Sequence, residues 1–582
     1  MIEELVEALL PHHETTPEAR AAELAAARDT YRYAYDWPPE VATAAEVPRA
    51  DTYSAGYIAA LLPSAWDIFK NTIGLLDIVE EREGLTKFFE DEAHRVVSLK
   101  PGDIGDWYLR VANDLARYVA QRTPPTLDGY DSLYPKLLAP TVGGKWQDDR
   151  TFAWQRIAGV NPMTLTRITE MPKEIGIGQS EYARVFGTDG SFDAALAEGR
   201  VFACDYTFLD GVPTGKTFGN PKWLPAVYAT FVAKDGELQP LAVHLGKRLG
   251  SRNVTPKDGE LWKIGKLATH IGDANHHETV SHLGRTHLVM EAVALALKRQ
   301  LSSRHPLHRL LWPHCEFTLP INHSAATNLI APGGAIDAVF GGTIEASASF
   351  VKKGLDSFDL SRAGVAADLA ARGLDDRAIL RDHPYRDDAL PVVAAIRRFV
   401  DSYVHLFYAS DADVVADVEL AAFLTELGAT DGGRIRGVPR PQTIEGLVDL
   451  VTSLVWIASG QHAAVNFTQY PFMGCVPNMI GALWNQWPPA NLDEAGLYAK
   501  LLPPYNLAVL QLHTVYQLSS LRVNHLGKYG LTTFLDGRVR EAIATFQKDL
   551  EEVEQASKER DEKRWISYPH LFPSNIPQSI HI

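Results

Sequence analysis

The sequence predicts a mainly α-helical fold, one large helical domain with a small β subregion. Three observations carry this. The composition is globular, 46% hydrophobic and 22% charged, which excludes a disordered or fibrous chain. Apolar residues recur at helical spacing through most of the 582 residues. No internal repeat or low-complexity linker divides the chain. At about 150 residues per domain the length alone would suggest three or four domains, and the missing linkers argue for one.

The elements follow in order. Residues 17–28 are rich in Ala and Glu and open on Pro17, a proline at a helix start. Residues 54–66, interrupted by Pro63 and Asp67, read together with 68–79 as an amphipathic helix pair packed on the core, or else as a surface lid touching lipid. Residues 88–97 and 107–120 have helical spacing with polar faces, and Pro/Gly-rich loops follow at 124–131 and 140–147. The β candidate is 201–243, with strand-like runs at 201–206, 228–232 and 241–245 and a turn at Lys234-Asp-Gly. Helical patterning returns over 261–311, 388–408, 411–427, 444–469 and 505–521. The last helix, 536–564, is charged on one face, and a Pro/Ser-rich tail runs from Tyr568 to Ile582.

A net charge of −16 argues against nucleic acid and against electrostatic docking on anionic lipid. Cys204, Cys315 and Cys475 lie far apart and form neither a disulfide framework nor a CxxC zinc motif. The start carries Glu3, Glu4 and Glu7 rather than a basic signal region, and no run of about 18 apolar residues exists. A cytoplasmic protein is the expectation.

Histidines supply the chemical signal. One segment contains His277, Glu278, His282 and His287; another contains His462, Asn466 and Gln469. Imidazole is the commonest metal ligand. His462 and Asn466 are i,i+4, about 40° apart on one helix face. His282 and His287 are i,i+5, about 140° apart on a regular helix, too far to share an ion. One extra residue in the turn would bring them together, so the spacing predicts a π-bulge between them. A similar widened turn would stack His277 near the site. His305, His308 and His314 read as structural. A zinc hydrolase would need His at i+4 from His277, where Ser281 stands, so that reading is weak.

The run His277-Glu-Thr-Val-Ser-His-Leu-Gly-Arg-Thr-His287, with Glu291 and 305–314 after it, resembles the first iron helix of lipoxygenases. Trp456-Ile-Ala-Ser and 462–470 resemble their second iron helix, and Asn575-Ile-Pro-Gln-Ser-Ile-His-Ile582 resembles their C-terminus. Residues 152–162 are similar to the opening motif of their catalytic domain. The match runs from about residue 100 to the end. The resemblance implies a lipoxygenase-type helical catalytic domain over 101–582, with 1–100 packed on it as a helical segment replacing the usual N-terminal β-sandwich, and no calcium. The β-sandwich and its calcium are where this chain departs from the family, because residues 1–100 read as helices without alternating strands, and that departure puts membrane recruitment in doubt. The resemblance implies one non-haem iron held by His282, His287, His462, Asn466 and the carboxylate of Ile582, with His277, Glu278 and Gln469 behind them. Three imidazoles, an amide oxygen and a carboxylate suit iron, and Gln469 would tune Asn466. Glu278 and Leu283 replace residues usual in plant members, which makes the sequence look more animal-like.

The implied reaction is dioxygenation, by O2, of a polyunsaturated fatty acid bearing a cis,cis-1,4-pentadiene. An iron-bound hydroxide takes the hydrogen atom, with no side-chain base. A gap-free count from His287 places Ala325 at the family position that carries alanine in most S-forming members. It places Leu329 and Ile336 on the apolar clamp and Val339 and Phe340 at the depth-setting pair, with Leu283 also in the pocket. Together these imply S-hydroperoxides, 13S from linoleate, or 9S if the acid inserts head-first. A catalytically silent lipid-binding protein is the competing class. A monomer, with weak membrane-surface contact as the further partner, completes the expectation.

Overall fold

The computed structural model describes residues 8–484, 496–530, 533–534 and 536–582. The acidic start bearing Glu3, Glu4 and Glu7 lies outside these residues. The architecture is mainly α, and its longest continuous helical rod passes through the centre. That rod is built from Glu260–His276, His277–Leu288 and Val289–Gln300, and almost every side chain from 262 to 297 is buried. A helix buried on all sides needs no polar face, which is why its apolar residues do not fall on one stripe.

The β subregion is an antiparallel sheet with strand order Thr166–Arg167, Val201–Asp205, Val227–Lys234, Glu237–Leu245 and Arg252–Val254. Its central hairpin turns at Asp235 and Gly236, both at positive φ (55° and 79°), the geometry an Asp-Gly pair favours. The sheet packs on Glu260–His276. There Asp273 forms a fully buried ion pair with Arg156 at 2.7 Å and accepts from the Tyr206 hydroxyl at 2.7 Å. These contacts fix the rod just before its histidines.

Several elements differ from the sequence expectation, each for a local reason. Residues 55–74 form one helix, Ala55–Gly74, with Pro63 inside it, rather than a pair. Its inner face buries Tyr57, Leu61, Ala65 and Ile68 against Ile104–Ala116 and Tyr505–Ser520. Its outer face exposes Leu62, Trp66 (59% exposed) and Ile73. The 411–427 segment divides at Asp417, whose carboxylate caps the second helix by accepting from the Leu420 amide. The helical stretch expected over 261–311 ends at Gln300 and resumes at Pro306.

N-terminal residues Leu10, Tyr31, Val41, Tyr53 and Tyr57 share one hydrophobic core with the histidine rod and with Ile582. Among the described residues before 133 the only strands are the short pair Tyr33–Ala34 and Thr43–Ala44. No helix among the described residues is long and apolar enough to cross a membrane.

Candidate metal centre

The rod's middle section, His277–Leu288, is a π-helix twelve residues long, more than the single widened turn the spacing predicts. Its i→i+5 hydrogen bonding puts residues five apart on one side. His277 therefore stacks on His282, ring centroids 5.3 Å apart and planes 20° apart, and His282 meets His287 edge-on at 4.6 Å. The second histidine helix widens too, over Ile457–Gln461, and returns to α geometry for His462–Asn466.

Nitrogens of His282, His287 and His462 converge within 4.8 Å of one another, all buried. The Nε2 atoms of His282 and His287 are 3.1 Å apart. Burial pushes the His282 and His287 pKa values down to about 3 and that of His462 well below its ordinary value. All three are neutral imidazoles at physiological pH, the form that binds metal.

Neighbours set the orientation of each ring. Asn322 donates to the Glu291 carboxylate at 2.8 Å and to the His287 carbonyl at 3.2 Å, so its oxygen accepts from His287 Nδ1 at 2.7 Å. That leaves the His287 Nε2 lone pair facing the site. Glu291 also accepts from the Ala44 amide, and burial pushes its pKa up to about 7. His277 Nε2 donates to the Val465 carbonyl at 2.7 Å, tying the two histidine helices together. Glu278 sits 3.6 Å from Nδ1 of both His277 and His282, and burial raises its pKa.

The C-terminus reaches the same place. Ile582 is 1% exposed, and its oxygen lies 3.1 Å from His462 Nε2. The Asn466 amide donates to the Leu518 carbonyl at 2.6 Å, and its oxygen accepts from Gln469 at 3.0 Å. His305 is bound to Asp417, His308 to the Leu301 carbonyl, and His314 to the Gln578 carbonyl in the tail. None of these three belongs to the converging group.

A metal fits this donor set. His282, His287 and His462 each offer a buried neutral nitrogen within 4.8 Å of the other two, and the C-terminal oxygen lies 3.1 Å from His462 Nε2. Three neutral nitrogens beside a buried carboxylate are a borderline-soft set suited to iron.

A cavity of about 380 Å³ opens beside the rod, bounded by Leu283, Leu288, Asn322, Ile330 and, from the N-terminal hairpin, Trp37 and Pro38. A tighter apolar cleft continues from it past Leu283, Ile330, Ile336, Ala348 and Val351. Ala325, Leu329, Val339 and Phe340 are buried but line neither of these spaces. Val339 and Phe340 pack instead against Gly481, where an added Cβ would lie 2.6 Å from the Val339 carbonyl. Sequence reasoning missed Trp37 and Pro38 as parts of the site, because nothing in the sequence relates the first forty residues to the rod, and it missed Asn322, whose contact with His287 spans 35 positions and leaves no periodic signal.

The chain matches the Lipoxygenase family over residues 133–567. It belongs to the lipoxygenase family. As a lipoxygenase it is an oxidoreductase of the non-haem iron dioxygenase class. It is 35% identical over 521 residues to a linoleate 9/13-lipoxygenase of Pseudomonas aeruginosa, covering 85% of this chain and 75% of that one. It is 30% identical over 450 residues to the polyunsaturated fatty acid lipoxygenase ALOX15B of Homo sapiens, covering 75% of this chain and 66% of that one. The match to a Plexaura homomalla allene oxide synthase-lipoxygenase protein spans 78% of this chain but 46% of that longer one. Among solved structures, a lipoxygenase in complex with arachidonate superposes with a TM-score of 0.85 at 26% identity, covering 99% of this chain and 84% of that chain. A coral 8R-lipoxygenase superposes with a TM-score of 0.83 at 26% identity, covering 99% and 83%. The zinc hydrolase reading is set aside by this assignment.

Proposed function

We propose that this lipoxygenase converts linoleate-type fatty acids to S-hydroperoxides, with the 13S product favoured, through one iron held by His282, His287, His462, Asn466 and the Ile582 carboxylate. The observation that carries this is the convergence of three neutral imidazoles on one point with the buried C-terminus 3.1 Å from one of them. When bound, iron supplies the one-electron chemistry that removes a bis-allylic hydrogen. The protein's own residues do the rest. Asn322 holds His287 in the tautomer that offers Nε2. Gln469 occupies one lone pair of the Asn466 oxygen and leaves the other available as a weak ligand. Leu283, Ile336, Ala348 and Val351 give the apolar walls against which the pentadiene would be oriented by shape, and Glu278 is the one ionisable residue lining the same cleft. A cavity of about 380 Å³ lies within the range of sites that enclose ligands.

The S assignment rests on the gap-free count that gives Ala325 the position carrying alanine in most S-forming members, although its neighbour Ala326, and not Ala325, lines the cavity. The 13 position rests on the gap-free count that puts Phe340 at the depth-setting pair, although Phe340 lines neither of the two spaces beside the rod. The name of the Pseudomonas relative includes both 9 and 13 positions, which supports keeping the 9S product as the alternative outcome. Weak contact with a lipid surface through Leu62, Trp66 and Ile73 belongs to the same reading. Iron content measured alongside conjugated-diene absorbance on linoleate tests the reaction, and iron-loaded protein without diene formation would overturn it. Chiral-phase chromatography tests the product, and a mainly R hydroperoxide would remove the Ala325 argument. Blue-shifted Trp66 fluorescence on adding neutral vesicles tests the surface contact, and an unchanged spectrum would remove it.

A further inference from the structure

The last seven residues are threaded into the core and held through their main chain. His314 meets the Gln578 carbonyl at 2.7 Å, Asn524 accepts from the Gln578 amide at 2.9 Å, and Thr318 donates to the Ile580 carbonyl at 3.2 Å. The hold on the carbonyl of the last peptide comes from far along the chain, near its N-terminal end. The Tyr57 hydroxyl donates to the His581 carbonyl at 2.6 Å, and Tyr57 is 0% exposed. Its ring is stacked on Tyr53 at 4.4 Å and tilted against Phe317 at 4.9 Å.

We propose that Tyr57 is a positioning residue for the terminal carboxylate: its hydrogen bond sets the plane of the last peptide and so the direction in which Ile582 presents its carboxylate beside His462. This rests on the reading of Ile582 as an iron ligand. The reasoning is geometric. Two rotations separate the His581–Ile582 peptide from the carboxylate. Tyr57 fixes the peptide, and burial of the β-branched Ile582 side chain restricts the rest. Groups that orient a ligand without touching the metal typically govern about 10–100-fold in affinity or activity. The helix Ala55–Gly74 is thereby part of the metal centre, although its outer face is at the surface.

Tyr57→Phe removes only the hydroxyl and keeps the aromatic stack. Tyr53→Phe is its control, because the Tyr53 hydroxyl bonds Ser324 at 3.3 Å and not the tail. Iron retention against a chelator and the ferric electron paramagnetic resonance spectrum are read on the iron-loaded proteins, and circular dichroism is read on the metal-free ones. The expected result is iron held about 10–100-fold less tightly and an altered ferric spectrum in Tyr57→Phe, with wild-type values in Tyr53→Phe and native helical content in both. Wild-type iron retention and spectrum in Tyr57→Phe, or equal losses in both variants, would overturn the proposal. A two-glycine extension after Ile582 separates the underlying reading. Full iron in that protein means the carboxylate is not a ligand, and the Tyr57 proposal falls with it. If Tyr57→Phe does not fold, Phe317→Leu loosens the same stack and is read in the same way.

Discussion

The two histidine helices solve the same problem with different geometry. The first must aim two histidines five residues apart at one point, and it is a π-helix throughout that interval, His277–Leu288. The second places His462 and Asn466 four apart, and it is α over those residues although π just before them, at Ile457–Gln461. Over the paired residues themselves helix type matches their spacing, π for the pair five apart and α for the pair four apart. The supports differ as well. Asn322, from outside the first helix, orients His287, whereas Gln469, three residues along the same chain segment, orients Asn466.

The sharpest way to break this comparison is to remove one imidazole from each helix. His287→Ala and His462→Ala are each expected to leave the protein without stoichiometric iron and without measurable diene formation, as read by metal analysis. Stoichiometric iron in either variant would show that its helix does not supply a required ligand. Replacing the supports is the next largest effect. Asn322→Ala and Gln469→Ala are each expected to lower metal affinity or activity about 10–100-fold. Asn322→Ala should have the greater effect, because His287 then loses the partner that selects its tautomer. Chelator competition on the two proteins ranks them.

Acid acts on both helices, since burial also holds His462 well below its ordinary value, but only the first carries buried histidines outside the proposed ligand set. The first helix carries His276 and His277, neither of them a proposed ligand, whose pKa values burial pushes down to about 3 and about 4. In the unfolded chain these groups titrate near 6.5. Below that pH the unfolded state binds more protons, so stability is full above 6.5 and falls as the pH drops toward 3–4. The slope is about 1.4 kcal/mol per pH unit for each such histidine. Urea titrations of metal-free His276→Gln at pH 7 and pH 5 are expected to show a smaller loss than the wild type, and an equal loss would place the acid sensitivity elsewhere. The smallest effect belongs to Ala325→Gly, in the short π segment Ala325–Leu329. Glycine there is expected to cost about 0.5–1 kcal/mol of stability, with the product moving toward R at the other end of the pentadiene. Chiral-phase chromatography reads that shift.

Much of this was legible from spacing. The i,i+5 separation of His282 and His287 demanded a widened turn, and the i,i+4 separation of His462 and Asn466 did not. The main helices followed from apolar periodicity, and the Asp235-Gly236 turn from residue type. Local signals of this kind depend on residues within one or two turns of each other, so a single sequence carries them. The pocket was less legible. A gap-free count named Ala325, Leu329, Ile336, Val339 and Phe340, and the family comparison added Leu283; of these Leu283 and Ile336 line the spaces seen beside the rod.

The sequence by itself determined the helical class, the histidines that converge and the widened helix between two of them. Only the tertiary structure decided what surrounds them: Trp37 and Pro38 walling the cavity, Asn322 choosing the tautomer of His287, and Tyr57 reaching a carbonyl 524 positions away. The physical reason is that these are single hydrogen bonds and contact surfaces between distant segments. Their geometry exists only after the common core has formed, and no periodicity along the chain records which distant carbonyl a buried hydroxyl will meet.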